Sequence, residues 1–244
     1  MGPVRTGLLL ALLLAGCAPR LDGKTAGEWA AEMTDPATGP RALAQLEGHG
    51  ADAVGMLTGI LESGPAQARI QAAALLGKLG PSAAPAVPAL AEALASKDVG
   101  VRGMAAIALG RIGSAARDAV IALDKALNDR DVRVQVAASL AIYGITDDTS
   151  APTRVLFRAF TSPDPDVRAM VAEAFDEMGT PILDFVVRSL ANPDEVTRLN
   201  AARTLAAMGP GAAEARGALQ TALDDPSEDV RAAAAEALAK LDDR

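Results

Sequence analysis

Apolar positions recur along the chain at nearly constant spacing, and this spacing predicts a series of helices. One row recurs at equal intervals, apart from one shorter interval after Leu156: Leu57, Leu90, Leu123, Leu156, Val186 and Leu219. A second row follows four positions later in each repeat. Positions four apart share one face of a helix, so the two rows predict one amphipathic helix per repeat, here called the A helix.

Further along each repeat, two more apolar rows, three positions apart, predict a second helix, here called the B helix. The first row contains Leu76, Leu109, Leu140, Phe175, Leu205 and Leu238, and Tyr143 falls in the second. Asp98, Asp129, Asp164, Asp194 and Ser227, each four positions before an Arg, are expected to cap the B helices at their starts. A glycine directly after the second row is expected to end each B helix, since Gly adopts the left-handed conformation readily. These glycines are Gly80, Gly113, Gly144, Gly179 and Gly209.

A single helix pair cannot bury both of its apolar faces, so the repeats must pack against each other. The pattern therefore predicts an all-α fold, an α-solenoid of about seven helix pairs over residues 25–244. Composition agrees, because 50% of the residues are hydrophobic but only 2% are aromatic, which disfavours β-sandwiches and barrels.

Charge and residue counts exclude several functional classes. The net charge of −8 argues against a nucleic-acid partner, since phosphates need clustered cations. One Cys excludes an internal disulfide, and one His excludes a multi-His metal site. The acidic excess lies wholly in residues 145–244, where it favours solubility or attraction of a basic partner.

The start of the chain has the character of an export signal. Arg5 precedes an apolar run, Leu8 to Ala15, that is too short to span a bilayer. The end of this run, Leu14-Ala15-Gly16-Cys17, resembles the bacterial lipobox. The resemblance implies a leader over residues 1–16 that is cleaved, a lipid on Cys17 and a short tether over residues 17–24. A cytosolic protein with an apolar start, or an ordinary signal peptide with a chance Cys, remains the alternative.

In Gram-negative lipoproteins, Asp directly after the lipidated Cys commonly favours retention in the inner membrane. Ala18 stands at that position here. We therefore expect a protein of the cell envelope, anchored in the membrane by lipid. For a Gram-negative host we expect it on the periplasmic face of the outer membrane.

The B helices share a local pattern of Val-Arg, two Ala positions, Leu and Gly, as in Val101-Arg102 through Gly113. This pattern resembles the HEAT-repeat superfamily, in particular the PBS-lyase HEAT-like repeats. The resemblance implies a curved, right-handed superhelix with an Asp–Arg hydrogen-bonded ladder between units. An anion-binding stripe is the alternative role for the arginines. The ladder candidates are Arg102, Arg133, Arg168, Arg198, Arg231, Asp131, Asp166 and Asp229.

In HEAT arrays the B helices line the concave surface, so their solvent-facing positions are the candidate binding residues. In repeats two to four these positions are mostly apolar, and an exposed apolar patch marks an interaction site. We expect a protein or peptide partner here, with no enzymatic activity and no cofactor. An enzyme or lyase-type subunit on the same scaffold, and an envelope spacer without a specific partner, are the alternatives. The candidate partner-binding residues are Ile70, Ile107, Val134, Ile142 and Leu199.

Two further features are candidates for chemical sites. His49, the one histidine, lies between two glycines and is expected to be a solvated turn residue rather than a general base or metal ligand. Acidic pairs such as Asp147-Asp148 fall in predicted turns and lack EF-hand spacing, so we expect no metal site.

Overall fold

The computed structural model describes residues 19–148, 164–178 and 180–241, and positions 153, 155, 156, 158, 159 and 162 between them. The predicted leader, Cys17 and Gly179 lie outside the described residues. Contacts divide the chain into two compact units, residues 1–119 and 120–244.

Consecutive helices pair in the first unit as the apolar rows predict. The α4 and α6 helices pack side by side, and α3 and α5 pack against them. Short 3₁₀ segments lead into the A helices α3 and α5, at Gly50–Ala53 and Gly80–Ala86, and another spans Gly113–Ala119. The helices are α1 (Ala26–Thr34), α2 (Gly39–Gly48), α3 (Val54–Ser63), α4 (Ala66–Leu79), α5 (Val87–Ala93) and α6 (Val99–Ile112).

The second unit has the same alternation. Its B helices α8, α9, α11 and α13 pack in sequence, and A helices α7, α10 and α12 each pack on the following B helix. A 3₁₀ segment, Gly209–Ala215, precedes α12. The helices are α7 (Val120–Ala126), α8 (Val132–Thr146), α9 (Pro165–Met178), α10 (Thr180–Ser189), α11 (Glu195–Met208), α12 (Arg216–Ala222) and α13 (Glu228–Lys240). The fold is an all-α solenoid of repeated helix pairs, as predicted.

The leucine rows form the cores of both units. Leu57, Leu90 and Leu123 of the A row are fully buried, and burial of each stabilises the fold by about 2 kcal/mol. Small residues let the B helices approach closely. A Cβ on Gly77 in α4 would lie 3.0 Å from the Cα of Ala108 in α6.

Predicted helix ends agree with the structure in most repeats. Asp98 and Asp194 cap α6 and α11, each accepting a hydrogen bond from a backbone N–H three positions on. Thr25 and Glu28 form a capping box on α1. Gly80 and Gly113 have positive φ values of 56° and 70° and end their B helices.

The fourth repeat departs from the predicted ends at both termini of its B helix. Asp131 caps α8, two positions after the predicted Asp129. The helix continues through Gly144 to Thr146, and Asp147 adopts the left-handed conformation beyond it. Both ends of the helix therefore lie two or three positions later in the chain than predicted, so the whole B helix of this repeat is shifted toward the C-terminus.

No helix among the described residues is both long enough and apolar enough to cross a bilayer.

Candidate partner-binding surface

A hydrogen-bonding motif recurs at the start of the B helices and identifies equivalent positions between repeats. In each case a long polar side chain in the first turn donates to a backbone carbonyl in the loop before the helix. This bond satisfies a loop carbonyl and holds the loop against the helix. The pairs are Arg102 with Ser96, Gln135 with Asp129, Arg168 with Ser162, Arg198 with Asn192, and Arg231 with Asp225.

The motif corrects the prediction for Arg133. Gln135, which lies one full repeat after Arg102, takes the equivalent position in the fourth repeat. The Arg133 side chain is instead 61% exposed and pairs with Asp131, with Nη2 2.7 Å from Oδ2. The Val132-Arg133 pair has the same residue types as Val101-Arg102 but lies two positions before the equivalent place in the repeat, which is Val134-Gln135.

One Asp–Arg pair joins neighbouring repeats within the second unit. Arg198 in α11 donates from Nε and Nη2 to the Asp225 carboxylate, at 2.7 and 3.0 Å, with side chains only 14% and 7% exposed. These hydrogen bonds lower the pKa of Asp225 and raise the pKa of Arg198. The acidic partner therefore lies before the B helix, at Asp225, and not at the predicted Asp229.

The remaining predicted ladder acids lie at the starts of B helices. Asp166 and Asp229 are exposed in the first turns of α9 and α13, and the backbone N–H of Asp166 donates to Asp164. Asp131 is the cap of α8. Negative charge at these places favours the helix through its N-terminal dipole.

Two of the five candidate binding residues are buried and so do not belong to a binding surface. Val134 is 1% exposed and Ile142 is 4% exposed. The corrected register explains both, because each lies one full repeat after a core residue: Val134 after Val101, and Ile142 after Leu109. Leu140, predicted as core, is only half-buried.

Ile70 and Ile107 of the first unit lie on the predicted face of the B helices. Ile107 on α6 is 38% exposed, and Ile70 on α4 is half-buried. A Cβ on Gly100 would lie 2.8 Å from Ile70 Cδ1, so the Ile70 side chain extends over the first turn of α6. Ala74, one turn after Ile70 on α4, and Gly103, one turn before Ile107 on α6, are partly exposed too. We call Ile70, Ala74, Gly103 and Ile107 the apolar strip.

Cations border the apolar strip at the next helical turn. Lys78 and Arg111 lie four positions beyond Ala74 and Ile107 and are exposed or partly exposed. Lys78 pairs loosely with Glu47, with both side chains about half exposed, a pairing of small energetic value. An apolar strip bordered by positive charge fits the usual arrangement of an interface core and polar rim.

The corresponding face of the second unit is polar. Leu199, the fifth candidate, is half-buried there. Nearby, α9, α11 and α13 line an open cavity of about 290 Å³. A second cavity of about 220 Å³ shares Ala169 and Ala207 with it. Charged side chains line the two cavities: Arg168, Glu173, Arg203, Glu236 and Lys240.

His49 lies directly beyond α2, where its Nε2 is 2.7 Å from Asp22 Oδ2. It is a partly exposed turn residue with one carboxylate partner, an interaction that the sequence did not predict. Within the described part of the chain, no three His, Cys, Asp or Glu side chains are grouped so that they could hold a metal ion.

Comparisons with known proteins address the repeat architecture. A family model for HEAT repeats matches residues 54–142 and 183–244. The CpcE–CpcF complex of phycocyanin lyase from Nostoc sp. PCC7120 is similar at 24% identity, over 92% of this chain and 96% of that chain, with a TM-score of 0.48. No curated protein sequence matches the chain.

Two further solved structures have the same general architecture. The HEAT-like repeats protein of the archaeon Thermococcus onnurineus NA1 is 15% identical, over 90% of this chain and 97% of that chain, with a TM-score of 0.42. A designed armadillo repeat protein in complex with the peptide (KR)4 is 16% identical, over 88% of this chain and 98% of that chain, with a TM-score of 0.36. At these identities the likeness concerns the fold alone.

Repeated helix pairs, with loops fastened to the starts of the B helices, define an α-solenoid repeat protein. The HEAT-repeat model covers well over half of the residues. The chain belongs to the HEAT-repeat family.

Proposed function

We propose that this protein is a lipid-anchored scaffold of the bacterial cell envelope that binds a protein or peptide partner through the apolar strip. The observation that carries the proposal is that Ile107 is exposed on one B helix while Ile70 is half-buried on the same face of the neighbouring B helix. Solenoids are suited to such a role, since each repeat adds to a continuous surface that a partner can follow. The repeat family supports protein binding in general.

The apolar strip favours a partner that supplies an apolar side chain flanked by acidic groups. Binding would remove the exposed part of Ile107 from water, and Lys78 and Arg111 would attract carboxylates at the rim. Rim charges chiefly affect the association rate and its salt dependence. The acidic second half of the chain would repel the same partner and so direct it to the first unit.

Affinity purification of the full-length lipoprotein tests the binding role. The variant Ile107→Glu places a charge on the apolar strip and is expected to lose the partner. Ile121→Glu is the matched control, because Ile121 is 74% exposed on the A helix α7. Equal loss of a partner in both variants, or retention in both, would contradict binding at the strip.

The export signal and lipobox support the anchoring part of the proposal. A thiol is the side chain that carries the thioether-linked lipid, and several acyl chains together hold a protein firmly on a membrane. Cys17→Ser is expected to move the protein from the membrane fraction to the soluble fraction. Membrane association of Cys17→Ser that survives a carbonate wash would contradict a lipid anchor.

The second candidate is an enzyme or lyase-type subunit, favoured by the cavities of the second unit. The larger cavity has about 290 Å³, the lower limit of ordinary ligand pockets. If this interpretation holds, a small molecule that binds the cavity raises the Tm of the parent protein. The double variant Arg203→Ala/Lys240→Ala would then lose this rise in Tm. The apolar strip has no role in that interpretation, so we rank it second to partner binding.

A further inference from the structure

The segment directly before the first helix forms a tight turn rather than a free tether. Leu21 and Lys24 exchange two backbone hydrogen bonds, each 3.0 Å long. Between them, Asp22 and Gly23 have φ values of 52° and 76°, the left-handed pair typical of a two-residue hairpin turn. The Arg20 guanidinium donates to the Gly23 carbonyl at 2.8 Å. We call residues 21–24 the entry turn.

The entry turn is fastened to the first helix through Trp29. The Trp29 Nε1 donates to the Leu21 carbonyl at 3.1 Å, and the indole is fully buried in the core. Lys24 Nζ lies 4.2 Å from the centre of the Trp29 ring and 2.6 Å from the Glu32 carboxylate. A cation over an indole face and a carboxylate partner both hold Lys24 in place.

A separate contact fastens the entry turn to the end of the second helix. Asp22 Oδ2 lies 2.7 Å from His49 Nε2, far along the chain. The turn therefore contacts both helices of the first pair through side chains from α1 and from the residue after α2. Two attachments from different helices fix its position more firmly than one would.

We propose that the entry turn shortens the connection between the lipid anchor and the solenoid and so holds the first helix pair close to the phospholipid surface. This inference rests on the proposed acylation of Cys17. Four Cα–Cα steps separate Cys17 from Leu21, so the chain between them spans at most about 14 Å. The longer tether expected from the sequence would have reached about 25 Å.

Energy transfer on vesicles tests this proposal. The acylated full-length protein is inserted into phosphatidylcholine–phosphatidylglycerol vesicles that carry a headgroup acceptor dye. The donor is attached at Gly27→Cys, because Gly27 is exposed at the start of α1 and a Cβ there meets nothing within 4 Å. The thiol of Cys17 is occupied by lipid, so the donor reacts at one position.

Two modified proteins complete the experiment. A Gly/Ser insert of about twelve residues between Pro19 and Arg20 lengthens the chain between Cys17 and Leu21 by about 20 Å. The double variant Asp22→Ala/Trp29→Phe removes the hydrogen bonds of the entry turn with His49 and Trp29, leaves the Lys24–Glu32 ion pair in place, and keeps an aromatic ring in the core. Circular dichroism checks that the double variant remains helical.

We expect a short, narrow donor–acceptor distance distribution in the parent, a shift of about 20 Å with the insert, and a broader distribution in the double variant. A parent distribution as broad as that of the insert would overturn the proposal, as would a double variant identical to the parent. Mass spectrometry of the N-terminal peptide separates these outcomes from failure of the proposed function, because an unacylated Cys17 would overturn both.

Discussion

The corrected register of the fourth repeat can be tested by shortening two neighbouring apolar side chains. Ile142 is 4% exposed and belongs to the core of α8, whereas Leu140 is half-buried. Replacing Ile142 by Ala removes three buried carbon groups, worth about 2.4 kcal/mol at about 0.8 kcal/mol each. The cavity left behind raises the expected loss of unfolding free energy to about 3 kcal/mol.

The Leu140→Ala variant removes the same number of carbon groups from a partly buried position that packs against the core. We expect a loss of about 1.5 kcal/mol, about half of that for Ile142→Ala, because part of the side chain is already in water and no closed cavity is left. For an array of this length, about 1 kcal/mol corresponds to about 2–4 °C in Tm. The two variants should therefore melt several degrees apart, with Ile142→Ala the lower.

Thermal unfolding followed by circular dichroism measures the difference, and urea unfolding provides a second estimate. The comparison is internal to one helix, so changes in helix propensity largely cancel. Leu140→Ala melting at or below Ile142→Ala would refute the corrected register. It would also return Ile142 to the candidate binding surface.

Two further predictions concern stability. Asp225→Asn should lower Tm at neutral pH, since the pKa of Asp225 is lowered by its bonds to Arg198; the gap to the parent should close as pH falls below about 4 and the carboxylate takes up a proton. A Tm gap independent of pH would contradict this. Gly39→Ala should destabilise by about 1–3 kcal/mol, because its Cβ would lie 2.7 Å from the Met33 carbonyl oxygen. Gly48→Ala, with open space at its Cβ, should not; equal Tm values for the two would contradict the steric argument.

The solenoid was predictable because two independent patterns, the helical period and the spacing of the repeats, mark the same residues as buried. Leu57, Leu90 and Leu123 fill equivalent core positions, and their constant interval needs no tertiary information. The error in α8 arose where a local motif competed with this interval. The same interval leads from Arg102 to Gln135 and from Leu109 to Ile142. Gln135 can donate to a loop carbonyl as Arg does, although the two side chains differ in charge.

The candidate surface was predictable only in part, since exposure depends on which neighbour covers a side chain. Ile70 extends over α6 because Gly100 leaves room for it, a contact between neighbouring repeats. The entry turn was missed for a similar reason. Asp22-Gly23 is a local turn signal, but its fastening depends on Trp29 and His49, which lie further along the chain.

Photo-crosslinking in cells tests the central claim most directly. A photoreactive amino acid replaces Ile107 on the apolar strip or Ile121 on the A helix, in the full-length lipoprotein at equal abundance. The account predicts a discrete adduct with one envelope protein from position 107 that is missing from position 121. The same adducts from both positions, or none from position 107, would contradict a partner-binding role for this surface.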